Sequence, residues 1–272
     1  MVRHHKFGEQ GFTLIELLTS IAILGLLIGI LAASMGSSRE RAAVAGSLSN
    51  LRQMGAAAGL YSNDHGGKLP PHAVFDEELG ENREWCYARF GPQTDNPFSG
   101  GLLAPYLENA KDVLTCPVWQ PSPEMQELVE QAFNVPGNLG YGYNGLYLGE
   151  RKIEEDGSFI GNYNAYPRSA VINPSKTVMF TISATNRFGQ AASQEMIWPP
   201  GHLTAGGSSI CVRLVNSKET LVGWVDGSVS VVSAIPVEEF PDDGIFTGHI
   251  DMDEDGEPDV DIWYPFPPES SL

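Results

Sequence analysis

The first feature of the chain is a long apolar run that follows a short polar leader. The run covers residues 12–35, and as a helix with a rise of about 1.5 Å per residue it is about 36 Å long. A bilayer core is about 30 Å thick, so the pattern predicts a membrane-spanning helix over residues 12–36. A cleaved secretory signal has a shorter apolar region, of about 7 to 15 residues. Arg3 and Lys6 precede the run, which favours a cytoplasmic N-terminus and export of the remainder.

Beyond Ser37 the all-round apolar surface gives way to an amphipathic one. No proline interrupts the next 25 residues or so, and apolar residues recur at the three- and four-residue spacings of a helix face. The helix is therefore expected to continue to about Ser62, with its second half packed on a globular domain. The apolar residues that set this spacing are Val44, Leu48, Leu51, Ala58 and Tyr61.

Strand-like runs dominate the later chain. They predict an α+β fold, in which a long N-terminal helix, first transmembrane and then amphipathic, packs on an antiparallel sheet. Asp226 and Gly227 separate the last two runs and predict a hairpin with a type I′ turn. The stretches 76–101 and 121–140 are interpreted as loops, with a short helix over residues 124–133. The predicted strands cover residues 142–148, 177–183, 209–215, 221–225 and 228–232.

Glu16 stands out because it places a carboxylate inside the apolar run. A charge in lipid costs about 2.5–3.5 kcal/mol on insertion scales, so a simple anchor has no use for it. Either Glu16 sits at the membrane interface, or it has a partner. The surrounding residues, Gly11-Phe-Thr-Leu-Ile-Glu16-Leu-Leu18, resemble the prepilin cleavage and methylation motif of type IV pilins and type II secretion pseudopilins.

This resemblance implies a processing and assembly pathway. A prepilin peptidase would cut between Gly11 and Phe12 and methylate the new amino group of Phe12. Glu16 would pair with that amino group on a neighbouring subunit, since a buried carboxylate is tolerated beside a cation. The other partners would be identical or related pilin subunits and the membrane assembly machinery. The protein would reside in the inner (cytoplasmic) membrane, with its globular domain periplasmic or extracellular until assembly.

A narrower resemblance extends over residues 1–234. Segments such as Leu114-Thr-Cys-Pro117 and Tyr141-Gly-Tyr-Asn-Gly145 resemble recurrent stretches of a pilin-like subgroup that ends in His, nine residues and Asp-Gly. Asn216 occupies the histidine position, while Asp226-Gly227 retains the second half of that motif. The domains predicted from these patterns are a leader (1–11), a transmembrane half-helix (12–36), an exported domain (37–235) and an acidic extension (236–272).

Charge changes the expected partners. The chain has 16 Lys and Arg against 34 Asp and Glu, a net charge of −18, and so acidic a surface disfavours nucleic acid as a partner. Within the extension, acidic residues at alternating positions around Gly256 resemble the oxygen-rich loops that bind calcium. The alternative is a solvated, disordered acidic tail. The candidate calcium ligands are Asp251, Asp253, Asp255, Glu257, Asp259 and Asp261.

The sequence features bear on three classes of function. A structural subunit of a type IV pilus or a type II secretion pseudopilus explains the leader, Glu16 and the helix together. An exported binding module, such as an adhesin or a minor pseudopilin that contacts cargo, is the alternative. A hydrolase is disfavoured, because the sequence has neither a nucleophile elbow nor a zinc-protease helix motif. Trp85, Trp119, Trp198 and Trp224 are interpreted as packing residues, and Cys86, Cys116 and Cys211 as buried thiols or partners in one disulfide.

Overall fold

The computed structural model describes residues 13–77, 80–89, 97–133, 135–149, 152–153, 159–160, 165–197, 210–213, 218–240, 245–257, 259 and 261–263. Within these ranges only the backbone is described for residues 31–37, 81, 89, 97, 152–153, 159–160, 210–213, 237–240, 245–247 and 261. Gly11, Phe12, Trp198 and Asn216 therefore lie outside the described residues, as do the side chains of Cys211 and Asp261.

The described residues form an α+β structure, as the sequence predicts. The helices are α1 (Leu14–Asp64), α2 (Ala110–Leu114) and α3 (Pro123–Phe133). The strands are β1 (Ala73–Asp76), β2 (Glu81–Glu84), β3 (Ala88–Arg89), β4 (Tyr141–Tyr143), β5 (Lys152–Ile153), β6 (Phe159–Ile160), β7 (Val178–Arg187), β8 (Gln190–Ala192), β9 (Ile210–Arg213), β10 (Glu219–Trp224), β11 (Val229–Phe240) and β12 (Ile245–Ile250).

Helix α1 spans two compact units, residues 1–43 and 44–272. In the second unit one face of the helix is buried at three- and four-residue intervals, which is the repeat of a helix that packs along one side. The helix ends only two residues beyond the predicted end at Ser62, so its predicted continuation and packing are confirmed. The buried residues of this face are Ser47, Leu51, Met54, Ala58 and Tyr61.

The sheet on which α1 packs has seven strands, all paired antiparallel. Leu51 and Met54 belong to the same buried cluster as Phe180, Ile182 and Leu221 from β7 and β10. A close approach of helix and sheet places Gly55 next to Gly227, where a Cβ on Gly55 would lie 3.4 Å from the Gly227 Cα. Small residues at this crossing allow the backbones to approach, so the helix lies directly on the sheet.

Two long strands change partners along their length. Strand β7 pairs with β10 near Phe180 and with β9 near Ala184. Strand β11 pairs with β10 in its first half and with β12 in its second. The register shifts after Pro236, where a bulge accommodates a residue that has no N–H to donate. The pairings thus close a circuit through β7, β10, β11, β12 and β9.

The C-terminal region is part of this sheet. Strand β11 continues through Pro236 to Phe240, and β12 pairs with it. Farther along, Trp263 is fully buried. The described part of the extension is therefore folded, and the alternative of a disordered tail is wrong for it; the domain limits themselves stay predictions.

The structure contains a small sheet that the sequence patterns did not predict. Strands β1, β2 and β3 form a separate antiparallel meander, and β2 and β3 lie within the stretch 76–101 that was interpreted as loops. Strand β2 consists of Glu-Asn-Arg-Glu, which has none of the β-branched or aromatic residues that mark a strand. By contrast, the predicted helix over residues 124–133 is confirmed by α3, and four of the predicted strands correspond to β7, β9, β10 and β11. The strand predicted over residues 142–148 is confirmed only in part, because β4 ends at Tyr143 and turns follow it.

The hairpin between β10 and β11 is confirmed, but its predicted turn type is wrong. A type I′ turn needs positive φ at both central residues; Gly227 has φ +93°, whereas Asp226 is not among the described non-glycine residues with positive φ. The Gly227 N–H donates to the Trp224 carbonyl, and the Trp224 N–H to the Ser228 carbonyl. This is the three-residue loop in which a type I turn is followed by a left-handed glycine. The Asp226 carboxylate accepts bonds from the N–H and hydroxyl of Ser228, at 2.8 and 2.6 Å.

Replacing Gly227 by alanine is expected to lower the free energy of unfolding by about 1–2 kcal/mol, because a Cβ is strained at a left-handed position. Urea unfolding of the full chain in mild detergent, followed by circular dichroism, measures the effect. Gly223→Ala is the matched control, since its Cβ would meet Leu51 at an ordinary 3.6 Å. Equal losses in the two variants would contradict the turn assignment.

Candidate functional site

The N-terminus of α1 is organised by Thr13 and Glu16. The Thr13 N–H and hydroxyl both donate to the Glu16 carboxylate, at 2.9 and 2.7 Å, and the Glu16 N–H donates to the Thr13 hydroxyl at 3.3 Å. This reciprocal arrangement is a capping box, which satisfies N–H groups that the first helical turn leaves unpaired. The signal for it, a threonine three residues before a glutamate, is visible in the sequence. The capping box was not among the predictions, which placed Glu16 either at the membrane interface or beside a partner on a neighbouring subunit.

The next four turns of α1 present apolar side chains on every side. Eleven large aliphatic side chains between residues 14 and 30 are 55–81% exposed. A helix that is apolar all round is normally buried in a protein core or in lipid. This surface therefore requires a non-aqueous environment. Its members are Leu14, Ile15, Leu17, Leu18, Ile21, Ile23, Leu24, Leu26, Leu27, Ile28 and Ile30.

In the described parts of the chain, no helix combines the length and the hydropathy that crossing a membrane demands. The predicted span, residues 12–36, includes Phe12 and the side chains of residues 31–36, which lie outside the described residues. The span accordingly stays a prediction.

The acidic loop after β12 brings some of its predicted ligands together. Asp251, Asp253 and Asp259 each offer a carboxylate oxygen to a group in which all such oxygens lie within 4.8 Å of one another. Asp255 and Glu257 are exposed and do not join this group. The Asp255 carboxylate instead accepts the Glu257 N–H at 2.8 Å. Of the six residues predicted from linear spacing, three therefore converge.

Other residues singled out by the sequence serve packing. Trp85, Trp119 and Trp224 are at most 5% exposed, which confirms the packing interpretation for these three. Cys116 is a buried thiol whose Sγ lies 3.5 Å from the Ser47 Oγ. Burial, and after it the neighbouring Cys116, raises the pKa of Tyr141 far above its ordinary value, so this phenol stays neutral.

Comparison with known proteins identifies one sequence motif. A family model described as the prokaryotic N-terminal methylation motif matches residues 6–32, a segment that contains Gly11, Phe12 and Glu16. The match supports a pilin-like or pseudopilin-like protein that is processed at its N-terminus. No significant match was found among curated proteins or among solved structures.

Proposed function

We propose that this chain is a structural subunit of a type IV pilus or a type II secretion pseudopilus. Prepilin peptidase cuts the precursor between Gly11 and Phe12 and methylates Phe12. The mature chain then joins a filament through α1. The observation that carries this proposal is the methylation motif at residues 6–32, which contains the whole exposed apolar surface of α1 between residues 14 and 30.

The exposed aliphatic surface supports both a membrane stage and an assembled stage. Transfer of one such side chain out of water is favourable by about 1.5–3 kcal/mol of free energy. Eleven of them together strongly favour lipid or protein surroundings. Before assembly the bilayer provides them, with the N-terminus cytoplasmic and the globular domain exported. In the filament the helices of neighbouring subunits replace lipid. Identical subunits added by one repeated contact form an open helical fibre.

Glu16 gives that contact its register. Within one chain its carboxylate is bonded to Thr13, next to the position where cleavage creates a new amino group. A carboxylate in an apolar setting is stabilised by a cation, and the amino group of Phe12 on the neighbouring subunit supplies one. The capping box holds the carboxylate at the helix end, where an incoming amino group meets it.

A second role, contact with another protein by the exported domain, is favoured by the tip of the β7–β8 hairpin. Phe188 is 67% exposed there and has φ +57°, a backbone conformation that costs a bulky residue energy. The neighbouring Arg187 guanidinium lies 4.1 Å from the centre of the Phe133 ring. The exposed Phe188 ring offers another protein an apolar contact, and on this observation an adhesin or a minor pseudopilin is the second candidate.

The processing step is tested by the mass of the mature chain. The full chain is expressed with and without a prepilin peptidase, and its N-terminal peptide is analysed by mass spectrometry. The expected result is an N-methylated Phe12 only when the peptidase is present. A chain that stays uncut beside an active peptidase, or that is cut beyond residue 35, would contradict the proposed function.

A further inference from the structure

The loop of residues 251–259 connects β12 to a short helical turn at Asp261–Trp263. Backbone hydrogen bonds hold this loop at both ends. At its start the Asp251 N–H donates to the Ser233 carbonyl at 3.0 Å, and at its end the Asp259 N–H donates to the Ile250 carbonyl at 2.9 Å. These two bonds bring residues 251 and 259 side by side. The two ends of the loop thus lie together beside β12, which pairs with both β11 and β9, and the carboxylates converge for that reason.

Three carboxylates at this closure repel one another. The ligand oxygens of Asp251, Asp253 and Asp259 lie within 4.8 Å of each other, and like charges at such distances are destabilising wherever water is partly excluded. The sequence has no Lys or Arg from residue 236 to its last residue. The extension itself therefore supplies no lysine or arginine side chain to offset the three charges.

The environment of Asp251 points independently to a bound ligand. Its side chain is only 6% exposed, and its Oδ1 is buried without a hydrogen-bond partner among the described residues. Its other oxygen accepts a single bond, from the Gly256 N–H at 3.3 Å. Burying a carboxylate oxygen unpaired is costly, and such oxygens in native proteins normally have a partner, which includes bound ions.

We propose that Asp251, Asp253 and Asp259 bind one calcium ion. The donor set consists of oxygen only, which suits a hard divalent cation. Oxygens on opposite sides of Ca²⁺ are about 4.6–5.2 Å apart, whereas around Mg²⁺ they are about 4.0–4.2 Å apart. Three oxygens that all lie within 4.8 Å of one another are close enough to share one calcium ion without contraction of the loop. With Asp253 exposed and few protein ligands, the expected Kd is about 10⁻⁴–10⁻³ M, as in extracellular calcium modules.

The ion would fasten the segment that follows the loop. The Asp259 carbonyl accepts the indole N–H of Trp263 at 3.1 Å, and the Trp263 carbonyl accepts the Asn144 amide at 2.9 Å. Trp263 is fully buried in a cluster with Val222, Trp224 and Ile250. Fixing Asp259 therefore fixes Trp263 on the sheet, and calcium is expected to raise the unfolding temperature by binding only the folded chain.

Calorimetric titration of the calcium-free full chain in mild detergent with CaCl2 tests the site. The wild type is expected to bind one ion per chain and to unfold at a higher temperature with calcium. Asp253→Asn removes a ligand charge at an exposed position that folding does not need, and it is expected to weaken binding by about tenfold or more. Asp255→Asn is the matched control, because it removes the same charge two residues away and should retain wild-type affinity.

Several outcomes would overturn the proposal. They are the absence of saturable binding up to about 10 mM calcium, well above the expected Kd, equal losses in Asp253→Asn and Asp255→Asn, or tighter binding of MgCl2 than of CaCl2. Equal losses would mean that calcium only screens a diffuse acidic surface. The site does not depend on the proposed filament function, so either proposal can fail without the other.

Discussion

Replacing Glu16 by glutamine is expected to stop filament assembly while leaving cleavage after Gly11 unchanged. Glutamine also serves in a capping box, so the bond with Thr13 and the start of α1 are preserved. What is lost is the negative charge that pairs with the amino group of Phe12 on the neighbouring subunit. Removing one partner of a buried ion pair costs about 3–5 kcal/mol. This cost weakens the association of each pair of neighbouring subunits at least a hundredfold, so few filaments are expected.

The variant Thr13→Ala distinguishes the effect of the Glu16 charge from the effect of the capping box. It removes the hydroxyl that bonds to Glu16 and lowers helix stability by about 0.5–2 kcal/mol, but it retains the carboxylate. Both variants are compared with the wild type by shearing filaments from cells and measuring the chain in the filament fraction. Assembly of Glu16→Gln at wild-type levels, or an equal defect in Thr13→Ala, would contradict the role assigned to the charge.

Trp85→Ala is expected to lower the free energy of unfolding by about 3–5 kcal/mol, the range for removing a buried tryptophan. The indole is fully buried, and its ring lies 5.2 Å from that of Phe180 and 5.8 Å from that of Tyr143. Its N–H donates to the Glu195 carbonyl at 2.8 Å. Alanine therefore leaves a cavity and removes one hydrogen bond from the Glu195 carbonyl, which keeps the bond from the Tyr143 N–H at 3.0 Å.

Trp85→Phe is the control for the two contributions. It keeps an aromatic ring against Phe180 but loses the bond to the Glu195 carbonyl, which still accepts the Tyr143 N–H, so a loss of about 0.5–1.5 kcal/mol is expected. Urea unfolding of the full chain, followed by circular dichroism, gives both values. A loss below about 1 kcal/mol for Trp85→Ala would show that the site collapses around the smaller side chain and that Trp85 does not anchor the core.

Local pattern predicted the elements whose own residues determine them. The apolar stripe from Leu51 to Tyr61 and the strand-like runs of β7 and β10 bury their hydrophobic residues in the observed fold, so their apolar pattern was a sufficient signal. Strand β11 is mixed, because Val232 is buried whereas Val231 is 42% exposed. Strand β2 has no such pattern in its own sequence, since its residues are all polar. It is a strand because it pairs with β1 and β3, which its local sequence does not indicate. The closed circuit of strands was also not predictable, since it depends on the partner changes of β7 and β11.

The candidate sites show the same division between local and non-local information. The pairing of Thr13 with Glu16 is local and was present in the sequence as a three-residue spacing. The acidic loop is different, because linear spacing gave six candidate ligands of equal standing. Asp251 and Asp259 meet through the path of the backbone, whereas Asp255 bonds to its own turn. Only the folded loop distinguishes these roles.

The proposed function is tested most directly by the form of the chain recovered from filaments. Filaments are sheared from cells that express the full chain with its assembly machinery, purified by sedimentation and analysed by mass spectrometry. The expected result is a chain that begins at N-methylated Phe12, is abundant in the filament fraction and is absent from it in cells without prepilin peptidase. A correctly cut chain that remains entirely in the membrane fraction would contradict the filament function and favour a membrane-held binding domain.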